Sequence, residues 1–329
     1  MMRHQLADIA ARGEAVAALY ASETGIYGRY GYGCASGQLS LTIRRGEGAL
    51  SPAVTSGTGA GGTGAGGGPV WLRAAPPGEL RAELAKVYDA AVPHRPGMMA
   101  RDERWWQNTL DDAEFRRRGM SVQRCLLAGD DAGPRGYALY RTKPDWDDDG
   151  LPYGSLSVRE LIATDAAAAA ALWGDLLTRD LIGEVAVRSR PVDDPLLDML
   201  ADRRRARPYL SDGLWVRLVD VGAALRQRRY SCPADLVIEV TDDLLPANAG
   251  RWRLQCPGPA DGGTPSCERT GAAADIVLPV AALGAGYLGG TRLGALAAAG
   301  LVTERREGAV ARLSAAMYSD PAPWCPSRF

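Results

Sequence analysis

The most constraining feature of this sequence is a run of about 140 residues, 70–210, in which the spacing of apolar residues alternates between the period of a strand and that of a helix. It opens with a strand, "VWLRA", followed by two helices, "PGELRAELAKVYDAAV" and "RDERWWQNTLDDAEF". Three strands come next, "SVQRCLLAG", "RGYALYRTK" and "SLSVRELIA". The helix "TDAAAAAALWGDLLTRDL", with Thr164 or Asp165 as its N-cap, leads to the strand "GEVAVRSRP" and the helix "DPLLDMLADRR". A β-α-α-β-β-β-α-β-α order of this length is a complete α/β domain of ordinary size.

At 329 residues the chain exceeds one average core, and domains of roughly 100–200 residues predict two or three. Before residue 70, Met2, Leu6, Ile9 and Ala10 recur at helical spacing, and Gly13 follows where a C-cap glycine belongs. "EAVAALYAS" then reads as a buried strand and "SETGIYGRYGYG" as a turn rich in tyrosine and glycine. One helix and one strand cannot enclose a core. Residues 1–50 are therefore expected to be the C-terminal part of a domain whose other strands are missing, leaving an apolar patch around Ala15 to Tyr20. Ser51 to Pro69 reads as a flexible glycine-rich linker. Its formal G-x-G-x-x-G match at Gly57, Gly59 and Gly62 lacks the flanking strand and helix that a dinucleotide loop requires, and is set aside. After the 70–210 domain, the strands "ADLVIEVTD", "GRWRLQC" and "ADIVLPV" and the helices "GALAAAGLV" and "GAVARLSAAMYS" predict a short α+β domain over 211–329.

Charge and composition exclude several functions. Lys plus Arg (38) nearly balance Asp plus Glu (39), so no net field draws the chain to nucleic acid or to an anionic membrane. The run Arg203 to Arg207 reads as a solvated helix end, and Trp105, Trp106 and Trp173 as core or subunit contacts. Six scattered cysteines form no C-x-x-C pair and only His4 and His94 could supply nitrogen ligands, so no metal is expected. The charged N-terminal stretch and the absence of an 18-residue apolar run predict a cytoplasmic protein with reduced thiols.

Tyr27 to Tyr32, "YGRYGY", fits a Y-x-x-x-G-[F/Y] element. Taken with "GEAVAALYASETGIYGRYGYG", "RGYALYR", "VRELIA", "DGLWVRLVDVGAALRQRRY", "GYLGG" and a terminal Phe329, it resembles the enhanced intracellular survival (Eis) family of GNAT N-acetyltransferases over essentially the whole chain. The resemblance implies a partial N-terminal GNAT domain, a second, degenerate GNAT-like domain and a C-terminal domain like the sterol carrier proteins. It also implies acetyl-coenzyme A as co-substrate, a small-molecule primary amine as acceptor, aminoglycosides included, and a homohexamer. Such chemistry needs a base and an acid. An alkylammonium of pKa about 10 must lose its proton before attack, and the departing thiolate, of thiol pKa about 8.5, must regain one. By the resemblance the acid is Tyr27 and the base the α-carboxylate of Phe329, with Ser22 lining the coenzyme channel. A carboxylate normally near pKa 3.5 is a weak base unless burial raises it, which Phe329 and Trp324 are expected to achieve. Tyr30 and Tyr32 are expected to pack.

Two departures from the family bear on activity. The R/Q-x-x-G-x-G/A loop that holds the coenzyme diphosphate on backbone N–H groups does not precede the first helix, which opens at Met1 Met2 Arg3. The chain is accordingly expected to be a truncated form, inactive as it stands. Arg328 occupies a position where some relatives carry an acidic residue, which weakens the expectation of polycationic acceptors. The competing readings are a non-catalytic binder of apolar ligands or proteins built on the sterol-carrier-like region, and a decayed remnant.

Overall fold

The computed structural model describes residues 1–58, 70–259, 262–327 and 329. Its contacts divide the chain into two compact units, residues 1–37 with 212–329 and residues 38–211. The first unit begins with α1 (Met2–Ala11), which buries Leu6, and Gly13 at φ +76° turns the backbone out of it. Strand β1 (Val16–Tyr20), the single turn α2 (Thr24–Tyr27) and the short β2 (Gly33–Cys34) follow.

The chain then enters the 38–211 unit through β3 (Gly37–Arg44). α3 (Pro52–Thr58) starts on a proline, which needs no amide hydrogen at that position, and Val54 packs beside Leu50 on the core. The reading of Ser51 to Pro69 as flexible throughout is thus corrected for its first residues. Gly57 sits in α3, while Gly59 and Gly62 lie outside the described residues. Next come β4 (Trp71–Ala75), α4 (Arg81–Ala91), α5 (Glu103–Leu110) and α6 (Glu114–Arg117). The single helix expected over this last stretch is divided because Asp111 takes ψ 123°. β5 (Arg124–Asp130), β6 (Gly133–Lys143) and β7 (Gly154–Ala163) form the expected run of strands. α7 (Ala166–Leu177) is capped by Asp165, whose carboxylate accepts the Ala168 N–H at 2.9 Å. β8 (Ile182–Arg190), α8 (Leu196–Met199) and β9 (Tyr209–Asp212) complete the succession.

These strands make one sheet in the order β4-β5-β6-β7-β8-β3-β9, in which β7 and β8 run parallel with α7 as their crossover. Trp106 and Trp173 are buried and Trp105 half-buried, in keeping with a core role. β3 pairs antiparallel with β8, so the chain changes unit near residue 37, whereas the apolar pattern set its first break at 50.

The returning chain forms β10 (Leu214–Leu218), α9 (Val221–Gln227), β11 (Ala234–Thr241), β12 (Gly250–Cys256) and β13 (Ser266–Arg269). β14 (Ile276–Pro279), α10 (Val280–Gly286), α11 (Leu293–Ala298), β15 (Thr303–Glu304) and α12 (Ala309–Met317) close it. Its strands form a five-stranded sheet in the order β13-β12-β11-β14-β15, with clear alternation in β12. Leu236, Ile238 and Val240 of β11 point to the core beside Trp252 and Leu254 of β12.

β10 belongs elsewhere: it lies between β1 and β2, antiparallel to both, with Tyr20 opposite Leu214 and Cys34 opposite Trp215. α10 covers this small sheet at backbone distance. A β-carbon on Gly33 would lie 1.9 Å from the Ala281 carbonyl oxygen, and one on Gly284 would lie 2.4 Å from that of Val216. Among the described residues β1 is an edge strand, paired with β10, which corrects the reading of it as buried. Val16 is 37% exposed and Ala18 is exposed, whereas Ala15 is buried in the core, so the expected patch covers only part of Ala15 to Tyr20.

Candidate active site

The Tyr/Gly turn folds around one buried arginine. After α2, a 3-10 turn over Gly28–Tyr30 ends at Gly31, whose φ of +78° lies in the left-handed region. A β-carbon there would sit 2.9 Å from both the Nε and Cζ of Arg217 and from Val280. Arg217, on β10, is fully buried and donates from Nη2 to both carboxylate oxygens of Asp242, at 2.8 and 2.7 Å. Asn248 also donates to Asp242, at 3.0 Å, so the carboxylate is held from two sides. The guanidinium thus forms the floor on which the turn rests.

Around this floor the tyrosines separate by environment. Tyr32 is 2% exposed and shares a cluster with Leu6 and Val219; Tyr30 is half-buried against the same cluster. Burial pushes the Tyr32 hydroxyl up from its ordinary pKa, an effect the Arg217 cation opposes and the nearby Tyr27 reinforces. Tyr27 packs the edge of its ring on Tyr32, with centroids 6.2 Å apart at 76°. Its hydroxyl lies 3.5 Å from that of the exposed Ser22, and either oxygen can be the donor. Two of the three anticipated site residues therefore meet at the end of β1.

The third, Phe329, comes from the other end of the chain to Tyr20, the last residue of β1. Beyond α12 the tail buries Trp324, Cys325 and Ser327, and Phe329 packs its ring edge-on against Tyr20, with centroids 5.6 Å apart at 66°. The Tyr20 hydroxyl donates to the Cys325 carbonyl at 2.7 Å. Phe329 is 51% exposed, so the apolar cover anticipated from its own side chain is not formed; Trp324, at 4%, is the buried aromatic of the tail. Arg328 lies outside the described residues.

Arg217 and Tyr20 were missed in the sequence. An arginine within the apolar strand "LWVRL" is the signal that could have exposed the first, because a buried charge demands a partner. Nothing local marks Tyr20. Among the described residues no group of three or more His, Cys, Asp or Glu side chains could hold a metal, and all six cysteines are free. No helix among them is long and apolar enough to cross a membrane.

Comparison with known proteins matches three segments of the chain. Residues 1–35 and 97–218 each match an acetyltransferase (GNAT) domain, and residues 221–326 match a sterol carrier protein domain. The chain is 46% identical over 329 residues to an uncharacterised N-acetyltransferase of Streptomyces coelicolor, an alignment spanning 100% of this chain and 76% of that relative. It is 36% identical over 313 residues to the N-acetyltransferase Eis of Mycobacterium tuberculosis, spanning 95% of this chain and 71% of that one. Among solved structures, Eis1 from Mycobacterium abscessus aligns with a TM-score of 0.77 at 34% identity, over 100% of this chain and 77% of that one.

Proposed function

Because this chain belongs to the Eis-like family of GNAT N-acetyltransferases, we propose that it acetylates a primary amine with acetyl-coenzyme A, using Tyr27 as general acid and the α-carboxylate of Phe329 as general base. Acetyl-coenzyme A supplies an activated acetyl thioester. The Phe329 carboxylate takes the proton of the incoming ammonium, so that the amine nitrogen can form its bond to the acetyl carbon as the carbon–sulfur bond breaks. Tyr27 gives its hydroxyl proton to the departing thiolate and recovers one as the nitrogen, now bonded to the acetyl carbon, sheds its second proton, while the carboxylate passes the first to solvent. A pair of uncharged hydroxyls, Ser22 and Tyr27, suits a leaving group that must be protonated without being held as an ion.

The observation that supports this reading most is the course of the tail. It leaves the sterol-carrier-like region and brings Phe329 against Tyr20, two residues before Ser22 in the chain. A cytoplasmic location, a homohexameric assembly and a broad amine acceptor belong to the same proposal; light scattering tests the assembly.

The decisive experiment measures turnover of 2-phenylethylamine, as coenzyme A thiol released, with and without a few residues added after Phe329. The extension should lower turnover by roughly 10²–10⁴, the usual effect of displacing an acid or base, while calorimetric binding of acetyl-coenzyme A stays the same. Equal rates would exclude the terminal carboxylate. A chain that binds no acetyl-coenzyme A would instead favour the inactive remnant.

A further inference from the structure

We propose that Tyr20 is the positioning residue for the C-terminal carboxylate, holding the tail at two points so that the carboxylate keeps a constant place relative to the end of β1. The inference rests on the reading of that carboxylate as the base. Terminal residues fray unless tied down, and after Met317 the tail has no helix or strand of its own among its described residues. Its buried anchors are Trp324, Cys325 and Ser327, and the Cys325 thiol donates to the Ser327 carbonyl at 3.2 Å, which folds the segment compactly. Those anchors stop two residues short of Phe329, which is half exposed.

Tyr20 spans that remaining distance. Its hydroxyl donates to the Cys325 carbonyl at 2.7 Å and its ring meets the Phe329 ring edge-on at 5.6 Å. Both handles are on one rigid phenol, so the two tail residues it touches, four apart, cannot swing independently. The backbone of Tyr20 is itself held, because the residue pairs with Leu214 of β10. Ser22, with its hydroxyl 3.5 Å from that of Tyr27, follows two residues later. Strand pairing, phenol and tail thus form a continuous chain of contacts from the hydroxyl pair to the last residue. The Tyr20 hydroxyl already serves a backbone carbonyl, and its role here is placement, with the proton transfers left to Tyr27 and Phe329.

Carboxypeptidase A, which releases a C-terminal phenylalanine, reads the clamp directly on the folded chain. Tyr20→Phe keeps the ring contact and removes the hydrogen bond; Tyr20→Ala removes both. Release of Phe329 should rise by roughly 2- to 10-fold in the first and roughly 10- to 100-fold in the second, with the urea midpoint of Tyr20→Phe unchanged as the control for folding. Release from Tyr20→Phe at the wild-type rate would overturn the clamp. In acetyl transfer to 2-phenylethylamine the same variants should lose kcat in the order of tail release while KM for the amine holds, a split that general loss of fold does not produce. Faster release with unchanged kcat would uphold the clamp and sink the reading of Phe329 as base.

Discussion

In the 38–211 unit, the Tyr137 hydroxyl donates to Glu160 at 2.5 Å, and Glu160 also takes two bonds from Arg101, at 2.9 and 2.6 Å. The guanidinium lies 3.9 Å from the centre of the Tyr88 ring and 5.1 Å from that of Trp106. Burial disfavours the Glu160 anion, but the charge and hydrogen bonds of Arg101 outweigh it and hold the carboxyl below the usual carboxylate range. Burial and that same carboxylate push the Tyr137 hydroxyl well above its ordinary value. In the other unit, Tyr27 stands half-buried with the Ser22 hydroxyl 3.5 Å away. Both tyrosines fall within GNAT-matched segments. The more reactive-looking set, a carboxylate touching a phenol, is the sealed one, and its groups satisfy each other. Chemistry on an outside substrate needs hydroxyls whose partners are weak enough to be exchanged, and Tyr27 meets that condition.

The largest effect expected from this contrast is on stability. Arg101→Met should cost about 3–5 kcal/mol in urea unfolding, because Glu160 is left as an uncompensated buried charge. A loss under about 1 kcal/mol would mean that the site is wetter than its burial indicates. Tyr27→Phe should do the reverse: turnover falls by roughly 10²–10⁴, while stability stays within about 0.5 kcal/mol, since only a long hydroxyl contact disappears. A Tyr27→Phe chain that is fully active would place Tyr27 with Tyr137 among structural phenols.

Gly31→Ala should destabilise by about 1–2 kcal/mol from the left-handed backbone alone, and by more where Arg217 cannot yield to the added methyl. An unchanged midpoint would show that the turn does not rest on the guanidinium. The smallest change is expected with pH. The carboxyl of Glu160 is depressed on folding, so its contribution is fully present above the unfolded value of about 4.3 and is lost as pH falls through the lower folded value. The stability difference between wild type and Glu160→Gln should therefore be flat from neutral pH down to about 5 and shrink below about 4.3. Stability of the wild type that instead rises relative to Glu160→Gln as pH falls towards 6 would mean that burial, and not Arg101, dominates the site.

Elements whose cues are local were legible. Asp165 ahead of an alanine-rich run marked α7, Gly13 marked the end of α1, and alternation marked β12. α10 was missed, since "VAALGAG" is too short and too uniformly apolar to display a helical face. α3 was hidden by the glycines that follow it. Ser22 and Tyr27 could be placed at one turn from their spacing, but the sealing of Glu160 could not be anticipated, because Arg101 lies 59 residues away in the chain.

Period and capping by themselves determined where helices and strands lie and which face of each strand is apolar, because those properties depend on residues a few positions apart. They left open which strand each one joins. A strand's backbone groups will pair with any suitably aligned edge, so only tertiary packing could insert β10 between β1 and β2 and send β3 to the other unit's sheet. The meeting of Tyr20 with Cys325 was decided in the same way, across 305 residues of chain, by contacts that exist only in the folded molecule.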